Sequence, residues 1–354
     1  MTDLLDLHDL VLADLDGTLY RGREAVPGAV AAVRGAGERG VRTVYVTNNA
    51  ARSPGDVAAH LAELGFPAGP DDVATSSQAA AALLAEQLPA GAPVLVVGTA
   101  ALAAEIGHVG LAPIDAADCA RAVVQGLDPE LRYATLAEAC VALRTGAAWV
   151  ACNIDPTLPS ERGPLPGNGS LVAVLRTATG LEPQVAGKPA PALMRTAVHR
   201  AGASAPLVVG DRLDTDIQGG RAAEMPTLLV LTGVSDASEL LAAPPQARPD
   251  YIGADLTALT RSPEELAPGP RPGWTVHTAG AGLVLSGSGE ALDAIRAICG
   301  VHWSGGGGPA RIAPGGDAAA EALQTLGLPT DGDAGRTGAG STTVTGADAP
   351  GVPS

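Results

Sequence analysis

The fold is decided by Leu10-Val11-Leu12-Ala13-Asp14-Leu15-Asp16-Gly17-Thr18. Its first half is a short apolar run, typical of a parallel strand that is buried on both faces. Its second half changes abruptly to acidic residues and glycine, which are residues that end strands and form turns. We therefore predict a buried strand over residues 10–15 whose carboxyl end carries two aspartates.

The same alternation of apolar runs and helical segments continues on either side of a long insertion. The run from Val41 to Thr47 predicts a second strand, and Pro206 to Val209 predicts a late strand that ends in Gly210-Asp211. This βαβα order predicts an α/β fold with a doubly wound parallel-sheet core, formed by residues 1–78 and 184–260.

Four further segments interrupt or follow this core. Residues 79–183 repeat the rhythm and predict an inserted α/β module. The proline-rich stretch 261–273 predicts a linker, and residues 274–329 predict a small C-terminal α+β subdomain of order β-β-α-β-α. Residues 330–354 are small and polar, which predicts a disordered tail.

The composition excludes several classes of partner. Lysine and arginine number 22 against 38 aspartates and glutamates, which gives a formal net charge of −16. We expect no nucleic-acid and no membrane binding, because both surfaces are negative. The four cysteines form no C-x-x-C pair, which fits a reducing environment and predicts a cytoplasmic protein. We predict neither a signal peptide nor a transmembrane helix, and the sequence leaves open whether the chain forms a homo-oligomer.

Polar residues follow the predicted strands at the edge where open parallel sheets bind ligands. Asp14 and Asp16 follow the first strand, and Asp211 follows the late one. Three carboxylates can share a small site only if a cation or a proton offsets their repulsion. Oxygen ligands without histidine or cysteine favour Mg²⁺. We therefore predict a magnesium site at Asp14, Asp16 and Asp211.

A lysine completes a site that is suited to a phosphoryl group. Lys188 stands between Gly187 and Pro189 at a predicted helix start, where a cation is disfavoured unless it answers an anion. The lysine and the metal would neutralise charge on the phosphoryl oxygens. The carboxylate of Asp14 can attack phosphorus and form an aspartyl-phosphate. Asp16 can protonate the leaving alkoxide and later activate water.

Together these fragments resemble the four motifs of the haloacid dehalogenase superfamily. The motifs are Asp14-Leu15-Asp16-Gly17-Thr18, Thr47-Asn48-Asn49, Lys188, and Gly210-Asp211 through Asp216. The resemblance implies that residues 79–183 are a cap domain of type C2. It also implies an acetyltransferase-like C-terminal subdomain, although the pyrophosphate loop Q/R-x-x-G-x-G/A is not visible there, so we expect a structural or regulatory role. Because the motifs all precede it, we expect truncation after residue 260 to leave activity.

The resemblance implies a role for each motif residue. Asp14 would be the nucleophile and a metal ligand, and Asp211 would be a further metal ligand. Asp16 would be the acid/base, with its backbone carbonyl also on the magnesium.

The remaining motif residues would contact the phosphate or support those that do. Thr47 and Lys188 would hold the phosphoryl oxygens, and Asp216 would support Lys188 or a metal-bound water. Asn48 and Asn49 would donate near the phosphate or the substrate.

Each of these residues also has a plain structural interpretation. Asp211 and Asp216 could cap a helix, and Lys188 could be a solvated lysine at a helix start. Arg52 could contact substrate or be a surface cation. Asp155 and the turn Gly167–Gly169 could read the leaving group or belong to an inert connection.

We expect a hydrolase, namely a magnesium-dependent phosphatase of a small phosphorylated substrate. The resemblance favours glycerol 3-phosphate, cleaved to glycerol and phosphate, and hence a place in glycerolipid metabolism. Phosphoglycolate, pyridoxal phosphate or another small sugar phosphate is the alternative substrate. A phosphotransferase that keeps the phosphate on Asp14 until an acceptor arrives is the alternative activity.

Overall fold

The computed structural model describes residues 2–158, 162–280 and 282–329. The predicted disordered tail, residues 330–354, lies outside the described residues. The strands of the described chain are, in order, β1 Leu10–Ala13, β2 Tyr20–Arg21, β3 Glu24–Ala25, β4 Arg42–Thr47, β5 Val73–Thr75, β6 Pro93–Val97, β7 Ala112–Ile114, β8 Ala122–Gln125, β9 Ala148–Ala151, β10 Thr157–Leu158, β11 Leu165–Pro166, β12 Gln184–Val185, β13 Pro206–Gly210, β14 Thr227–Val230, β15 Tyr251–Gly253, β16 Trp274–Ala279, β17 Gly282–Gly287 and β18 Ile312–Pro314.

The helices of the same residues alternate with these strands. They are α1 Leu4–Leu7, α2 Ala29–Glu38, α3 Pro54–Glu63, α4 Ser76–Gln87, α5 Ala100–His108, α6 Tyr133–Arg144, α7 Asn168–Thr179, α8 Ala192–Ala201, α9 Gln218–Ala222, α10 Ala237–Ala242, α11 Pro263–Leu266, α12 Ala291–Ser304 and α13 Asp317–Thr325. A π-helical turn at Leu213–Ile217 precedes α9.

The main sheet is entirely parallel and has six strands in the order β15-β14-β13-β1-β4-β5. The predicted strands over residues 10–15, 41–47 and 206–209 are its three central members, and all four residues of β1 are buried. Separate apolar clusters cover its two faces. The predicted α/β fold with a doubly wound parallel-sheet core is confirmed.

A second parallel sheet is formed by the insertion, in the order β12-β9-β8-β6-β7. The sequence assigns Gln184 and Val185 to the core segment 184–260, but they pair with Val150 and Ala151 at the edge of this second sheet. That part of the predicted boundary is corrected to a position after Val185. Two residues are too short a strand for a periodic pattern to assign them to a sheet.

The alanine-rich helix α4 lies between the two sheets and packs against both α5 and α8. Its residues Ala79, Ala80, Ala81 and Leu84 belong to one apolar cluster with side chains of both sheets. Small side chains let the flanking helices approach α4 closely.

The C-terminal unit has the predicted order β-β-α-β-α, with β16 antiparallel to β17 and β17 parallel to β18. It does not stand apart from the core, because one continuous cluster of buried side chains joins the two. The core side of this cluster includes Leu213, Ile217, Leu229 and Ile252, and the C-terminal side includes Trp274, Leu285, Ile295 and Ile298.

The predicted linker 261–273 is partly helical. Helix α11 begins at Pro263, capped by Ser262, and its last residue, Leu266, is fully buried in the core. Among the described residues, no helix has the length and apolarity needed to cross a bilayer.

Candidate active site

The site lies at the carboxyl end of β1, in the middle of the main sheet. From β1 the chain moves to β4 on one side and returns later to β13 on the other, so the strand order reverses beside β1. Such a reversal opens a crevice outside the strand ends. Asp14 is fixed at this point because its N–H donates to the carbonyl of Val209 at 2.9 Å.

Three carboxylates meet in the crevice. Oxygen atoms of Asp14, Asp211 and Asp216 all lie within 4.8 Å of one another. Asp211 and Asp216 are buried, with 0% and 1% exposure, whereas Asp14 is half-buried. Asp14 and Asp211, about two hundred positions apart, thus converge, but the third carboxylate is Asp216 and not Asp16, which the sequence analysis placed in this group and which is exposed.

Lys188 is the cation of this group and is itself buried. Its ammonium forms an ion pair with Asp14 and a second, at 2.7 Å, with Oδ1 of Asp216. It also donates to the carbonyl of Val46 at 3.4 Å. Oδ2 of Asp216 accepts from the backbone N–H of Arg212 at 3.1 Å, so both oxygens of Asp216 have partners.

The charges of the cluster do not balance. Burial, and next the charge of Asp216, raise the pKa of Asp14 to about 8. Burial, again reinforced by Asp216, raises the pKa of Asp211 to about 6. Burial disfavours the ammonium of Lys188, yet Asp14 and Asp216 outweigh burial and raise its pKa. One ammonium faces three carboxylates, so the site favours a further cation.

Asp211 is held by a loop that the sequence analysis did not identify. Thr18 donates to Oδ1 of Asp211 at 3.1 Å, and the backbone N–H of Val234 donates to Oδ2 at 2.7 Å. The neighbouring Gly233 approaches so closely that a Cβ there would lie 1.9 Å from Oδ2 of Asp211. A hydrogen bond from a backbone N–H cannot be predicted from residue identity, and a single glycine after β14 is weak evidence for a close contact.

The second motif divides its residues between different tasks. Thr47 is buried, and its hydroxyl oxygen accepts from the N–H of Asn49 at 3.1 Å, which leaves its O–H able to donate. The side-chain oxygen of Asn49 accepts from the N–H of Ala51 at 2.8 Å. The side-chain amide nitrogen of Asn48 donates one hydrogen to the carbonyl of Lys188 and the other to the carboxylate of Asp155 in the insertion.

Asp16 lies at the mouth of the crevice, two residues beyond Asp14. Its side chain is accessible to water, although the surrounding walls desolvate it partly and thereby raise its pKa. The hairpin of β2 and β3 follows directly, and Gly17 N–H donates to the carbonyl of Tyr20 at 2.8 Å. Asp16 therefore combines exposure to the crevice with an affinity for protons above that of a free aspartate.

The insertion contributes a pocket beside the second motif. Its volume is about 110 Å³, and both the core and the insertion line it, including Asn48, Asp155, Thr157, Asn168 and Arg212. Burial raises the pKa of Asp155. The pocket is small beside the ~300–1,000 Å³ usual for drug-sized ligands.

Two further candidates from the sequence also have positions here. Gly167 lines the same pocket and Gly169 N–H donates to the carbonyl of Asp155 at 2.9 Å, so this turn supports the pocket wall. Arg52 is exposed near the start of α3. It lies close enough to Tyr20 for its charge to oppose the rise in the pKa of Tyr20 that burial causes.

Family models match three parts of the chain. The model described as haloacid dehalogenase-like hydrolase matches residues 11–112, and one described as HAD-hydrolase-like matches residues 185–259. A model of a GCN5-related N-acetyltransferase like domain matches residues 271–328. The first two contain the strand ends described above.

Known proteins are similar over most of the chain. A D-glycerol 3-phosphate phosphatase of Mycobacterium tuberculosis is 49% identical over 343 residues, which are 93% of this chain and 96% of that protein. A 5′-nucleotidase of Bacillus subtilis is 42% identical over 226 residues, 63% of this chain and 87% of that one. The crystal structure of the glycerol phosphate phosphatase of M. tuberculosis in complex with magnesium superimposes with a TM-score of 0.88 at 50% identity, covering 93% of this chain and 100% of that one.

Proposed function

The chain belongs to the haloacid dehalogenase-like hydrolases, and we propose that it is a magnesium-dependent phosphatase of a small phosphomonoester. The observation that carries the proposal is the buried ammonium of Lys188, paired with Asp14 and Asp216 beside Asp211. An ammonium and a metal ion beside a carboxylate nucleophile would together neutralise the charge of a phosphoryl group.

We propose that Asp14, Asp211 and the backbone carbonyl of Asp16 hold the magnesium. The donor set consists of oxygens alone, which suits Mg²⁺. Burial, and next the charge of Asp216, raise the pKa values of Asp14 and Asp211, and a bound cation would offset both effects. When bound, the metal offsets the repulsion between the carboxylates and withdraws charge from the phosphoryl oxygens. Asp216 is occupied by Lys188 and Arg212 and is assigned a supporting role.

The reaction proceeds in two displacements. An oxygen of Asp14 attacks phosphorus, the bond to the ester oxygen breaks, and Asp16 gives its proton to the departing alkoxide. Asp16 then removes a proton from water, the water oxygen attacks phosphorus, and the bond to Asp14 breaks. The raised pKa of Asp16 favours the protonated form that the first step requires. Thr47 and Lys188 hold the phosphoryl oxygens in both steps.

The proposed substrate is glycerol 3-phosphate. The D-glycerol 3-phosphate phosphatase of M. tuberculosis, 49% identical over 93% of this chain, carries that activity in its name. The pocket between core and insertion is compact, and polar side chains such as Asn48, Asp155 and Asn168 line part of it. A three-carbon polyol offers hydroxyls to such walls, whereas a nucleoside presents a large aromatic base. We assign Asp155 and Asn168 to the surface that faces the leaving group.

The cytoplasm is the proposed location. All four cysteines are free thiols, and Cys152 and Cys299 are buried, which fits a reducing compartment. Fractionation of cells and detection of the protein in the soluble or the exported fraction would test this assignment.

The test is a measurement of released phosphate over a panel of esters with Mg²⁺. The panel contains both enantiomers of glycerol 3-phosphate, phosphoglycolate, pyridoxal phosphate, a sugar phosphate and a 5′-nucleotide. We expect the highest kcat/KM for glycerol 3-phosphate, and an Asp14→Asn variant that folds but has lost turnover by at least about 10³-fold. Equal activity of that variant would refute the covalent step.

The same panel distinguishes a phosphotransferase. Phosphate that appears on an added alcohol, with little free phosphate, would establish transfer in place of hydrolysis. A 5′-nucleotide as the preferred ester would replace the proposed substrate while leaving the phosphatase chemistry intact.

A further inference from the structure

We propose that Asn48 is a positioning residue that fixes the backbone of Lys188 and ties it to Asp155 of the insertion. The inference rests on the proposed phosphatase function, in which Lys188 holds the phosphoryl oxygens. It gives Asn48 a role other than that of a donor near the phosphate or the substrate, which the resemblance implies.

The side-chain amide of Asn48 clamps the peptide groups of Lys188 from both sides. Its oxygen accepts from the N–H of Lys188 at 2.8 Å, and its nitrogen donates to the carbonyl of Lys188 at 3.0 Å. An amide that exchanges both bonds with one residue copies the pairing of an antiparallel strand. The residue that carries the buried ammonium is thereby held at its backbone as well as at its side chain.

The second hydrogen of the same amide reaches the insertion. It donates to the carboxylate of Asp155, with distances of 3.2 and 3.4 Å to the two oxygens. Asn48 has two amide hydrogens, one for Lys188 and one for Asp155, so neither is left for a ligand. A displacement of Asp155 therefore acts on the same group that orients Lys188.

The backbone of Asn48 is also held by two hydrogen bonds. Its carbonyl accepts from the hydroxyl of Ser76 at 2.6 Å and from the side-chain amide of Asn153 at 2.7 Å. Ser76 directly follows β5 of the main sheet, and Asn153 lies just after β9 of the second sheet. Residues beside both sheets therefore hold this carbonyl.

The clamp needs a glycine before the lysine. A Cβ at Gly187 would lie 2.6 Å from the side-chain oxygen of Asn48 and 2.4 Å from the carbonyl of Cys152. The approach is closer than real side chains allow, so the contact between the two segments depends on Gly187.

Such a clamp matters because the ammonium of Lys188 must lie at a fixed place beside the negatively charged phosphoryl group. An electrostatic partner stabilises a transition state only when it is held in position before the reaction. Asn48 is the group through which the insertion, which also lines the leaving-group pocket, acts on the ammonium that faces the phosphate.

The first experiment measures the affinity for inorganic phosphate by calorimetry in the presence of Mg²⁺. Inorganic phosphate has no leaving group, so its binding reports on the phosphoryl site alone. We expect Asn48→Ala to weaken binding about 10-fold or more, because three side-chain bonds are lost. Asp118→Asn, which removes an exposed carboxylate from the same insertion, is the control and should change affinity by less than roughly two-fold.

The second experiment exchanges the two partners. Asn48→Asp loses the donor to Lys188 and sets a carboxylate against Asp155, so it should weaken phosphate binding strongly. Adding Asp155→Asn supplies an amide that can donate to the new carboxylate, and the double variant should recover at least about 3-fold of the lost affinity. The same cycle is run on kcat and KM of the ester that the wild type hydrolyses.

The outcomes separate the inference from a merely structural role. A structural role would lower the melting temperature of Asn48→Ala and leave its phosphate affinity at the wild-type value, and that result overturns the inference. A double variant no better than Asn48→Asp overturns the link to Asp155. If Asn48→Ala does not fold, the exchange decides, since Asp and Asn have nearly the same size. A wild type that hydrolyses no ester refutes the proposed function, while the phosphate affinities still decide the inference.

Discussion

The insertion and the C-terminal unit both share a buried apolar cluster with the core, but their contacts differ close to the candidate site. Beside the crevice, the insertion touches the core through amide and carboxylate groups, with Asn153 and Asp155 contacting Asn48. Close to Asp211 and Asp216, the C-terminal unit contacts the core through apolar side chains, in a cluster that includes Leu213 and Ile217. The contact of the insertion beside the crevice consists of hydrogen bonds that water can replace. The contact of the C-terminal unit consists of apolar surface whose exposure to water is unfavourable.

Close to the site, the contact of the insertion can therefore exchange with water, whereas that of the C-terminal unit cannot. Hydrogen bonds exchanged with water change the free energy little, whereas exposing apolar surface costs roughly 25 cal/mol per Å². The C-terminal unit also closes an open sheet edge, because the guanidinium of Arg296, fully buried, donates twice to the carbonyl of Ile252 at 3.0 and 2.6 Å. We therefore interpret the C-terminal unit as part of the scaffold of Asp211 and Asp216.

The largest expected effect is that of truncation after residue 260. The sequence led us to expect retained activity, but the shared cluster requires the opposite, since Ile217, Leu229 and Ile252 would face water. Exposing one large apolar side chain costs about 1.5–3 kcal/mol, so exposing these three already approaches the ~5–15 kcal/mol that stabilises a whole domain. We expect circular dichroism to show an unfolded or aggregated protein. A soluble, cooperatively melting, active truncation would remove the distinction between the two contacts.

Arg296→Met should be the next most destabilising change. It leaves the carbonyl of Ile252 without its two donors and removes the 2.7 Å ion pair with Asp293. Breaking a buried charged group away from its partners costs about 3 kcal/mol or more. Urea unfolding should show the loss, and the exposed pair Arg261–Glu265, broken by Arg261→Met, should change stability by less than ~1 kcal/mol.

Magnesium should stabilise the protein by a smaller amount. Binding to the carboxylate cluster at a hundredfold excess over Kd adds about 2.7 kcal/mol. We expect the melting temperature to fall in EDTA and to return with Mg²⁺, and turnover to follow the same pattern. Asp211→Asn should abolish most of the shift, because it removes one charge of the cluster. An identical shift in that variant would place the metal elsewhere.

The smallest effect is expected at the polar contact. Asn153→Ala removes the 2.7 Å donor to Asn48 and the 3.1 Å acceptor for the N–H of Asp155. Loss of such neutral hydrogen bonds should lower the free energy of unfolding by about 1 kcal/mol. The fractional change in KM should be larger than the fractional change in this free energy. A cost above that of Arg296→Met would reverse our interpretation of which contact can exchange with water.

The strand ends were predictable because the physics of parallel sheets is local in the sequence. An apolar run followed by Asp14 or Asp211 identifies both the strand and the edge at which it ends. The order of the C-terminal elements was likewise readable, since apolar and polar residues alternate from Trp274 to His277, Leu283 to Leu285 is a short apolar run, and Ala291–Ser304 is periodic at helical spacing.

The partners of individual side chains were beyond the sequence. Asn48 and Lys188 are 140 residues apart, and nothing in either segment shows that an amide of one clamps the peptide groups of the other. The apolar cluster under Leu213 and Ile217 was missed for a related reason, because a buried face does not indicate what covers it. The hairpin Tyr20–Ala25 has strands of two residues, too short for any period.

Gly233 shows that accessibility to solvent and tolerance to change are separate properties. It stands in an exposed loop outside all four motifs, yet a single added methyl group would collide with Oδ2 of Asp211. An alanine there would displace the carboxylate of Asp211, the proposed metal ligand, without altering any charge. Surveys of inactivating variants that concentrate on acidic residues would overlook such a position, and efforts to modify the surface of this enzyme should leave it untouched.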